Sequence, residues 1–243
     1  MGPTIMAGKE RIRDTQTCDP AALYRLMSWL SPSYPVGAYS YSGGLEWAVQ
    51  AGDVKDADTL RDWLSVLLAQ GAGFCDAVFF VHAHTAVRAE DDGALSAVSE
   101  LACALAASRE RHLETTAQGG AFFDATHAAW PCAALERLRS VPTKPVAYPV
   151  AVAVAAAGHG ITAAPALHAY LHAVTASLIS AGVRLIPLGQ TDGQRVLAAL
   201  APVVAEAAER AFATPVDEVG AAVFRADIAG MRHETQYTRL FRS

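Results

Sequence analysis

The chain has 243 residues, 52% of them hydrophobic, which is enough for one large domain with a substantial core. Its formal net charge of −5 argues against nucleic acid as a partner, because phosphate contacts need a concentrated basic patch. Only 18% of the residues are charged, which indicates either an alanine-rich core or a surface that other protein chains cover.

Residues 1–18 are polar and aperiodic, which predicts a disordered N-terminal arm, and they contain no apolar stretch typical of a signal peptide. The cysteines Cys18, Cys75, Cys103 and Cys132 are far apart without a CxxC pair, so no zinc site or redox pair is indicated. No uncharged apolar run is long enough to cross a bilayer. We therefore expect a cytoplasmic protein with reduced thiols and no membrane partner.

The first helix is predicted to begin at Asp19-Pro20, as N-cap and first helical residue. The stretch SPSYPVGAYSYSGGLEWAV follows at residues 31–49, with Glu46 as its single charge. Its prolines oppose helix, and a helical pattern returns from about Ser40. Its serines raise the question of a nucleophile.

Amphipathic helices are predicted through the next hundred residues. Leu60, Leu64 and Leu68 repeat at helical spacing, and a helix capped by Asp92 is expected over 92–107. The segment RERHLE at 109–114 is either a solvated helix face or a charged docking patch. The helix that it begins should be weakened at Gly119-Gly120.

The segment around Gly158-His159-Gly160 fits a GxGxxA pattern after an apolar run, as in dinucleotide-binding folds. Such folds need an acidic residue roughly 20 positions later. After Glu136, however, the next acid is Asp192. A buried alanine-rich helix that the glycines end is the favoured interpretation.

Two long helices complete the main domain. One follows Pro165 and ends near Pro187, and the next is capped by Asp192 and should be kinked by Pro202. No strand-like alternation is present, so the prediction is an all-α, single-domain bundle of about eight to ten helices. The domain spans 19–224, followed by a tail at 225–243.

Few residues suggest catalysis or metal binding. His168 and His172 are spaced i, i+4 and could share a zinc or nickel ion, or could simply flank the apolar stripe. A metal-dependent enzyme that uses this pair and a generic helical adaptor are the alternative functions. His82 and His84 should point to different faces of a helix. No GxSxG frames Ser40 or Ser42, and no GxxxxGK[ST] loop is present, so neither a serine nucleophile nor nucleotide hydrolysis is indicated.

His233-Glu234 begins like the zinc-protease motif HExxH, but Tyr237 breaks it. The tail contains four arginines against two acids, although the whole chain is acidic. Leu240 and Phe241 lie between arginines near its end. This composition is typical of a short docking peptide, and a frayed end without a role is the alternative.

Three stretches together resemble the signatures of the F-type urease accessory protein family: SPSYPVGAYSYSGGLEWAV, RLIPLGQTDGQRVL and MRHETQYTRLFRS. They occur in the family's order, and the resemblance covers roughly residues 20–243. It implies an all-helical homodimer that is not an enzyme and binds no cofactor itself. Such proteins join a D-type (also called H-type) accessory protein and a G-type GTPase, and the complex delivers nickel to the urease apoprotein. The resemblance implies that the F-type subunit recruits the GTPase and regulates its GTP hydrolysis.

The resemblance also implies roles for individual residues. In the first signature the matching residues are Pro35, Gly37, Tyr39, Ser40 and Glu46, with Tyr39 at a position implicated in GTPase recruitment. In the late signature they are Gly189, Gln190, Thr191, Asp192 and Gln194, which are expected in or beside the core of the dimer or complex. In the tail, which docks onto the D-type partner, they are Arg232, His233, Glu234, Arg239, Leu240 and Phe241.

Overall fold

The computed structural model describes residues 19–140 and 145–243, which form eleven α-helices, two short 3-10 helices and no strand within those ranges. The predicted all-α class is confirmed, and the number of helices is close to the expected one. The predicted arm at 1–18 lies outside the described residues. The α-helices are α1 (Pro20–Trp29), α2 (Leu45–Gln50), α3 (Ala57–Gln70), α4 (Ala72–Arg88), α5 (Asp92–Ala104), α6 (Arg109–Ala129), α7 (Ala133–Ser140), α8 (Tyr148–Gly158), α9 (Ala163–Leu185), α10 (Gln190–Ala213) and α11 (Phe224–His233). The 3-10 helices are Ala38–Ser40 and Val216–Glu218.

Helix α8 is the centre of the core. Its residues 148–157 are all buried, and it packs mainly against α4 and α6. A helix that is apolar on every side must be covered on every side, which explains this position. The chain leaves α8 through Gly160, whose φ of +70° suits glycine. The alanine-rich segment is therefore a buried helix, and no strand precedes it in the described ranges as a dinucleotide fold would require.

Helices α3, α9 and α10 pack together beside this centre. Leu60, Leu64 and Leu68 of α3 are buried, as their spacing predicts. Helix α9 ends at Leu185, close to the predicted limit at Pro187. Helix α10 continues through Pro202. Asp192 is not its N-cap: the N-cap is Gly189, whose backbone N–H donates to the Asp192 carboxylate from 3.4 Å.

Two helix limits differ from prediction. The N-cap of α5 is Asp91, whose carboxylate accepts the Ala94 N–H at 2.9 Å, rather than Asp92. Helix α6 runs without a break through Gly119-Gly120. A Cβ on Gly119 would lie 2.1 Å from the carbonyl oxygen of Val146. This glycine therefore allows the backbones of α6 and the segment before α8 to approach closely, and it does not end the helix.

Two helical stretches, 57–88 and 163–185, are long and apolar enough to meet a length and composition criterion for membrane spans. Core helices of soluble proteins meet the same criterion. The first stretch combines α3 and α4, and 61% of its most apolar window is buried inside the protein. Packing against other helices accounts for its hydropathy.

Helix α11 returns the chain to α2, its main neighbour, and also contacts α6. The last residues, 234–243, continue over the same region. The first and last predicted signatures are thereby brought together.

Candidate partner-docking site

The stretch at 31–49 forms a compact turn before α2. Gly37, Gly43 and Gly44 all have positive φ values, which bend the chain back on itself. Pro35 is exposed and the Tyr39 side chain is 72% exposed, whereas Tyr41 is buried. Tyr39 is therefore accessible on this stretch, which also buries side chains, and its coverage by a partner stays a prediction.

Glu46 lies beneath the end of the chain and is only 8% exposed. One carboxylate oxygen accepts the backbone N–H of Leu240 at 2.6 Å, and the other accepts that of Phe241 at 2.9 Å. The second oxygen is also 3.1 Å from Nε2 of His233. Hydrogen bonds to an ionised acceptor are among the stronger ones in proteins. The only charged side chain of the first signature therefore anchors the last segment.

His233 is fully buried between two carboxylates. Its Nδ1 is 2.6 Å from Glu110 and its Nε2 faces Glu46, so a ring with a proton on each nitrogen donates to both. The other oxygen of Glu110 accepts from the Arg239 guanidinium at 2.8 Å. We call Glu46, Glu110, His233 and Arg239 the carboxylate–histidine cluster. Both buried carboxylates are thus bound by hydrogen-bond donors, which is what buried charges need.

Residues 240–243 pair with the turn at 40–42. The Arg242 N–H donates to the Ser40 carbonyl at 2.8 Å, and the Ser42 N–H donates to the main-chain oxygen of Ser243 at 2.8 Å. The Ser42 hydroxyl also donates to that oxygen. The hydroxyls of the first signature thus serve structure, in keeping with the absence of a nucleophile frame.

Arg184 of α9 contacts both the first signature and the tail signature. Its guanidinium lies 4.4 Å from the ring centre of Phe241, a cation–π contact, and donates to the Tyr39 carbonyl at 2.9 Å. Phe241 is 4% exposed, whereas Leu240 is 64% exposed. The segment therefore alternates: one apolar anchor faces the core and the other faces outward.

Helix α11 is held against α2 along its length. Arg225 makes a two-pronged ion pair with Asp53, at 2.8 and 3.0 Å, and lies over the Trp47 ring. In the middle, a Cβ on Gly44 would lie 2.7 Å from the Gly230 nitrogen, so the two backbones nearly touch. The outward face of α11 presents Phe224, Ile228 and Met231, all exposed. Spacings of four and three residues place these three side chains on one stripe.

A second set of buried charged side chains, on α4 and α6, lies near the carboxylate–histidine cluster. Arg111 donates to Asp76 at 2.7 Å, and the Tyr170 hydroxyl donates to the same carboxylate at 2.9 Å. Burial raises the pKa of Glu114, although Arg111 opposes the shift. Burial alone would lower the pKa of Arg111, but the carboxylates of Asp76 and Glu114 raise it above its usual range. Around these groups lies a cavity of about 80 Å³, which Ser243 also lines.

The interpretation of RERHLE as a solvated face is wrong for its two glutamates, because Glu110 and Glu114 are buried. Glu114 accepts from the Ser243 hydroxyl at 3.2 Å, so both glutamates serve the last segment. Sequence reasoning missed these two residues and the Asp76–Arg111 pair. The one available signal was the i, i+4 spacing of the glutamates, which places both on the same face of α6.

The histidines of the metal hypothesis are exposed on α9. His168 Nδ1 lies 2.9 Å from the Ala164 carbonyl, within its own helix. In the ranges 19–140 and 145–243, no three His, Cys, Asp or Glu side chains are grouped to hold a metal ion. His82 and His84 contact different carbonyls, of Thr214 and Ile161, as their opposite faces predict.

The late signature lies at the start of α10. Gly189, Gln190, Thr191 and Gln194 are exposed there, and Gly193 packs against α9 through Val183 and Ile179. The structure thus brings the first and last signatures into one surface. The position of the late signature beside a dimer or complex interface stays a prediction.

A family model and several known proteins that match this chain all carry the same name. The family model named UreF matches residues 54–201. The chain is 60% identical over 223 residues to the urease accessory protein UreF of Rhodopseudomonas palustris (strain BisA53), covering 92% of this chain and 94% of that protein. It is 60% identical over 225 residues to the protein of that name from Bradyrhizobium sp. (strain BTAi1), covering 93% of each. With that of Bradyrhizobium diazoefficiens it shares 56% identity over 230 residues, covering 95% of each.

Proposed function

The chain belongs to the UreF family of urease accessory proteins, which are not themselves catalytic enzymes, and from this premise we propose that it is the scaffold that joins the other accessory proteins during urease maturation. In this proposal the chain acts in the cytoplasm and binds a D-type (H-type) accessory protein through α11 and residues 234–243. It recruits a G-type GTPase through the Tyr39 surface and regulates its GTP hydrolysis. The complex inserts nickel into the urease apoprotein, while this chain holds no cofactor of its own.

One observation supports the scaffold function above others: residues 39–46 and 239–243 form one continuous surface through backbone pairing and the Glu46 carboxylate. Side chains that protrude from this surface are large and uncovered, notably Tyr39, Tyr237 and Leu240. Exposed aromatic and apolar side chains in an ordered frame are typical of protein interfaces. A protein that binds two partners at once needs two exposed segments in fixed relative positions, and the segments 39–46 and 239–243 meet this requirement.

Most of the predicted site residues then fall into three sets. Tyr39, Leu240, Pro35 and Arg232 are exposed and can contact a partner directly. Glu46, His233 and Phe241 are buried, so we assign them the task of holding the contact residues in place. Glu234 and Arg239 are intermediate in role: each binds α6 and also borders the surface.

We also propose a homodimer through the outward face of α1. Leu23, Tyr24 and Met27 are 48%, 69% and 68% exposed, and Arg25 is the only charged side chain within that helix. A twofold contact places the same face against itself, so a face with few charges meets its copy without repulsion. Light scattering should show a dimer that Tyr24→Glu converts to a monomer. A dimer that persists would place the contact elsewhere.

The test of function is reconstitution. The full chain is mixed with purified D-type and G-type partners, co-purification is measured, and urease apoprotein is then activated with nickel, bicarbonate and GTP. We expect a complex that contains all three accessory proteins and activation that depends on this chain. Equal urease activity without the chain, or no capture of either partner, would overturn the proposal.

A further inference from the structure

A groove of about 770 Å³ lies beside residues 239–242, where the segment crosses the first turn of α6. Its lining combines two exposed leucines, Leu113 and Leu240, with three arginines and two acids: Arg109, Arg239, Arg242, Glu110 and Glu234. We call this the arginine groove. Three guanidinium groups in one groove are notable in a chain whose net charge is −5.

The positive charges of the arginine groove are only partly neutralised. Arg239 is paired with Glu110, which is also bound by His233. By contrast, no carboxylate lies within ion-pair distance of the guanidinium of Arg109 or Arg242 among the described residues. The Arg242 guanidinium lies 6.0 Å from the centre of the Tyr41 ring, a distant contact. Two guanidinium groups therefore remain available to an incoming anion.

The groove already binds one carboxylate from the chain itself. Glu234 accepts the backbone N–H of Arg109 at 2.9 Å, in the first turn of α6. The N-terminus of a 21-residue helix adds partial positive charge at this position. The wall of the groove thus carries a carboxylate bound to the helix N-terminus at one end, while the other end presents arginine and leucine.

From this arrangement we propose that the arginine groove binds an acidic peptide segment of the D-type partner, in which a carboxylate lies beside a large apolar side chain. The carboxylate pairs with Arg109 or Arg242, and the apolar side chain packs between Leu113 and Leu240. Charge complementarity gives the pair its specificity and rate of association, and the leucines supply the buried apolar area. This inference rests on the proposed function, since it names the chemistry of the partner that residues 234–243 dock.

The test uses the full chain and the purified D-type partner, with affinity measured by calorimetry. In the Arg109→Gln/Arg242→Gln variant the backbone hydrogen bonds of both residues are kept and only the two charges are lost. We expect roughly tenfold weaker binding, since each exposed ion pair contributes up to about a factor of five. Arg139→Gln, on α7 and paired with Glu136, is the matched control and should bind like the parent chain.

A second measurement tests the peptide chemistry directly. A fluorescein-labelled peptide of alternating leucine and glutamate is titrated with the chain, and a peptide of alternating leucine and lysine is the control. We expect binding of the acidic peptide only, weakened by added salt and by the double substitution. Equal binding of both peptides, or no binding of the acidic one, would overturn the inference.

The outcomes separate the two proposals. If removal of 239–243 leaves capture of the D-type partner unchanged, the proposed docking function fails. If that removal abolishes capture while the double glutamine variant binds like the parent chain, only the arginine groove inference fails.

Discussion

The Glu46 carboxylate accepts a hydrogen bond from the backbone N–H of Phe241, 195 positions later in the chain, at 2.9 Å. Both residues are almost fully buried. This contact makes the position of residues 239–243 depend on the turn at 39–46. Whatever binds residues 239–243 therefore acts on a segment that the turn at 39–46 holds in position.

We expect Glu46→Gln to loosen residues 239–243 without unfolding the helices. The amide side chain has one acceptor oxygen where the carboxylate has two, so one of the contacts that Glu46 makes with Leu240, Phe241 and His233 loses its acceptor. Loss of charge-assisted buried hydrogen bonds should cost about 2–4 kcal/mol of unfolding free energy. Urea unfolding gives this number, and hydrogen exchange at the Leu240 and Phe241 amides shows where protection is lost.

Glu206→Gln, at an exposed position on α10, is the control for that substitution. It should leave both measurements unchanged. If Glu46→Gln behaves in the same way, Glu46 does not anchor the segment in solution.

Gly44→Ala should release α11 from α2. Both Gly44 and Gly52 have positive φ, so an alanine at either position is strained by about 1–2 kcal/mol. Only at Gly44 would the Cβ also meet backbone, 2.7 Å from the Gly230 nitrogen, whereas nothing lies within 4 Å at Gly52. Comparison of unfolding free energies for the two variants isolates the packing cost from the strain.

The Gly44→Ala and Gly52→Ala variants also test whether α11 is needed for partner binding. Gly44→Ala should reduce capture of the D-type partner, since α11 would no longer be held in place, and Gly52→Ala should not. Equal capture by both would count against α11 as a docking element.

Adjacent glycines in α6 should respond in opposite directions. At Gly119, a Cβ would overlap the carbonyl of Val146, and we expect alanine there to cost more than about 3 kcal/mol or to prevent folding. At Gly120 the space is open, and alanine should stabilise the protein by up to about 1 kcal/mol through its higher helix propensity. Thermal unfolding of the two variants decides this, and equal melting temperatures would contradict the packing account.

Gly119 also illustrates how far the sequence could predict the structure. Helical periodicity identified most helices, because the apolar stripes of α3 and α9 follow from local spacing. The neighbour that requires a glycine at 119, Val146, is set by tertiary packing that local spacing does not record. Hence the sequence indicated a weakened helix where the structure has a close helix contact.

Buried charge was hidden from the sequence for the same reason. Glu110 looks like part of a solvated face because its neighbours are charged, yet its partner His233 lies 123 positions away. Arg111 and Asp76 are 35 apart and on different helices. The signatures that resemble the family indicated Glu46 and His233 as functional residues, but only the geometry shows that they bind each other.

The rate at which Cys75 is labelled should show whether residues 239–243 shield the cavity that Cys75 and Ser243 line. Burial, with Asp76 adding to it, raises the pKa of the Cys75 thiol to about 11, so only about one molecule in a thousand carries the thiolate at pH 8. In a chain whose other cysteines are serine, we expect labelling by a disulfide reagent to be slow. As the pH rises towards 11, the rate should increase by roughly tenfold per unit.

Removal of residues 239–243 should accelerate that labelling, because Ser243 lines the same cavity as Cys75. The truncation retains His233, so Glu46 and Glu110 keep a partner and the helices should remain folded by circular dichroism. A labelling rate that the truncation does not change would show that the segment does not cover the cavity.

Tyr39→Ala should weaken capture of the GTPase while leaving the fold intact. The side chain is 72% exposed and the contact that Arg184 makes is with the backbone carbonyl, which alanine keeps. The change in unfolding free energy should therefore be within about 0.5 kcal/mol. Capture is measured with the preformed complex of this chain and the D-type partner, and Tyr39→Phe shows whether the ring or the hydroxyl matters. Because the ring is mostly exposed, its loss removes area that a partner can contact, and unchanged capture by Tyr39→Ala would place the GTPase surface elsewhere.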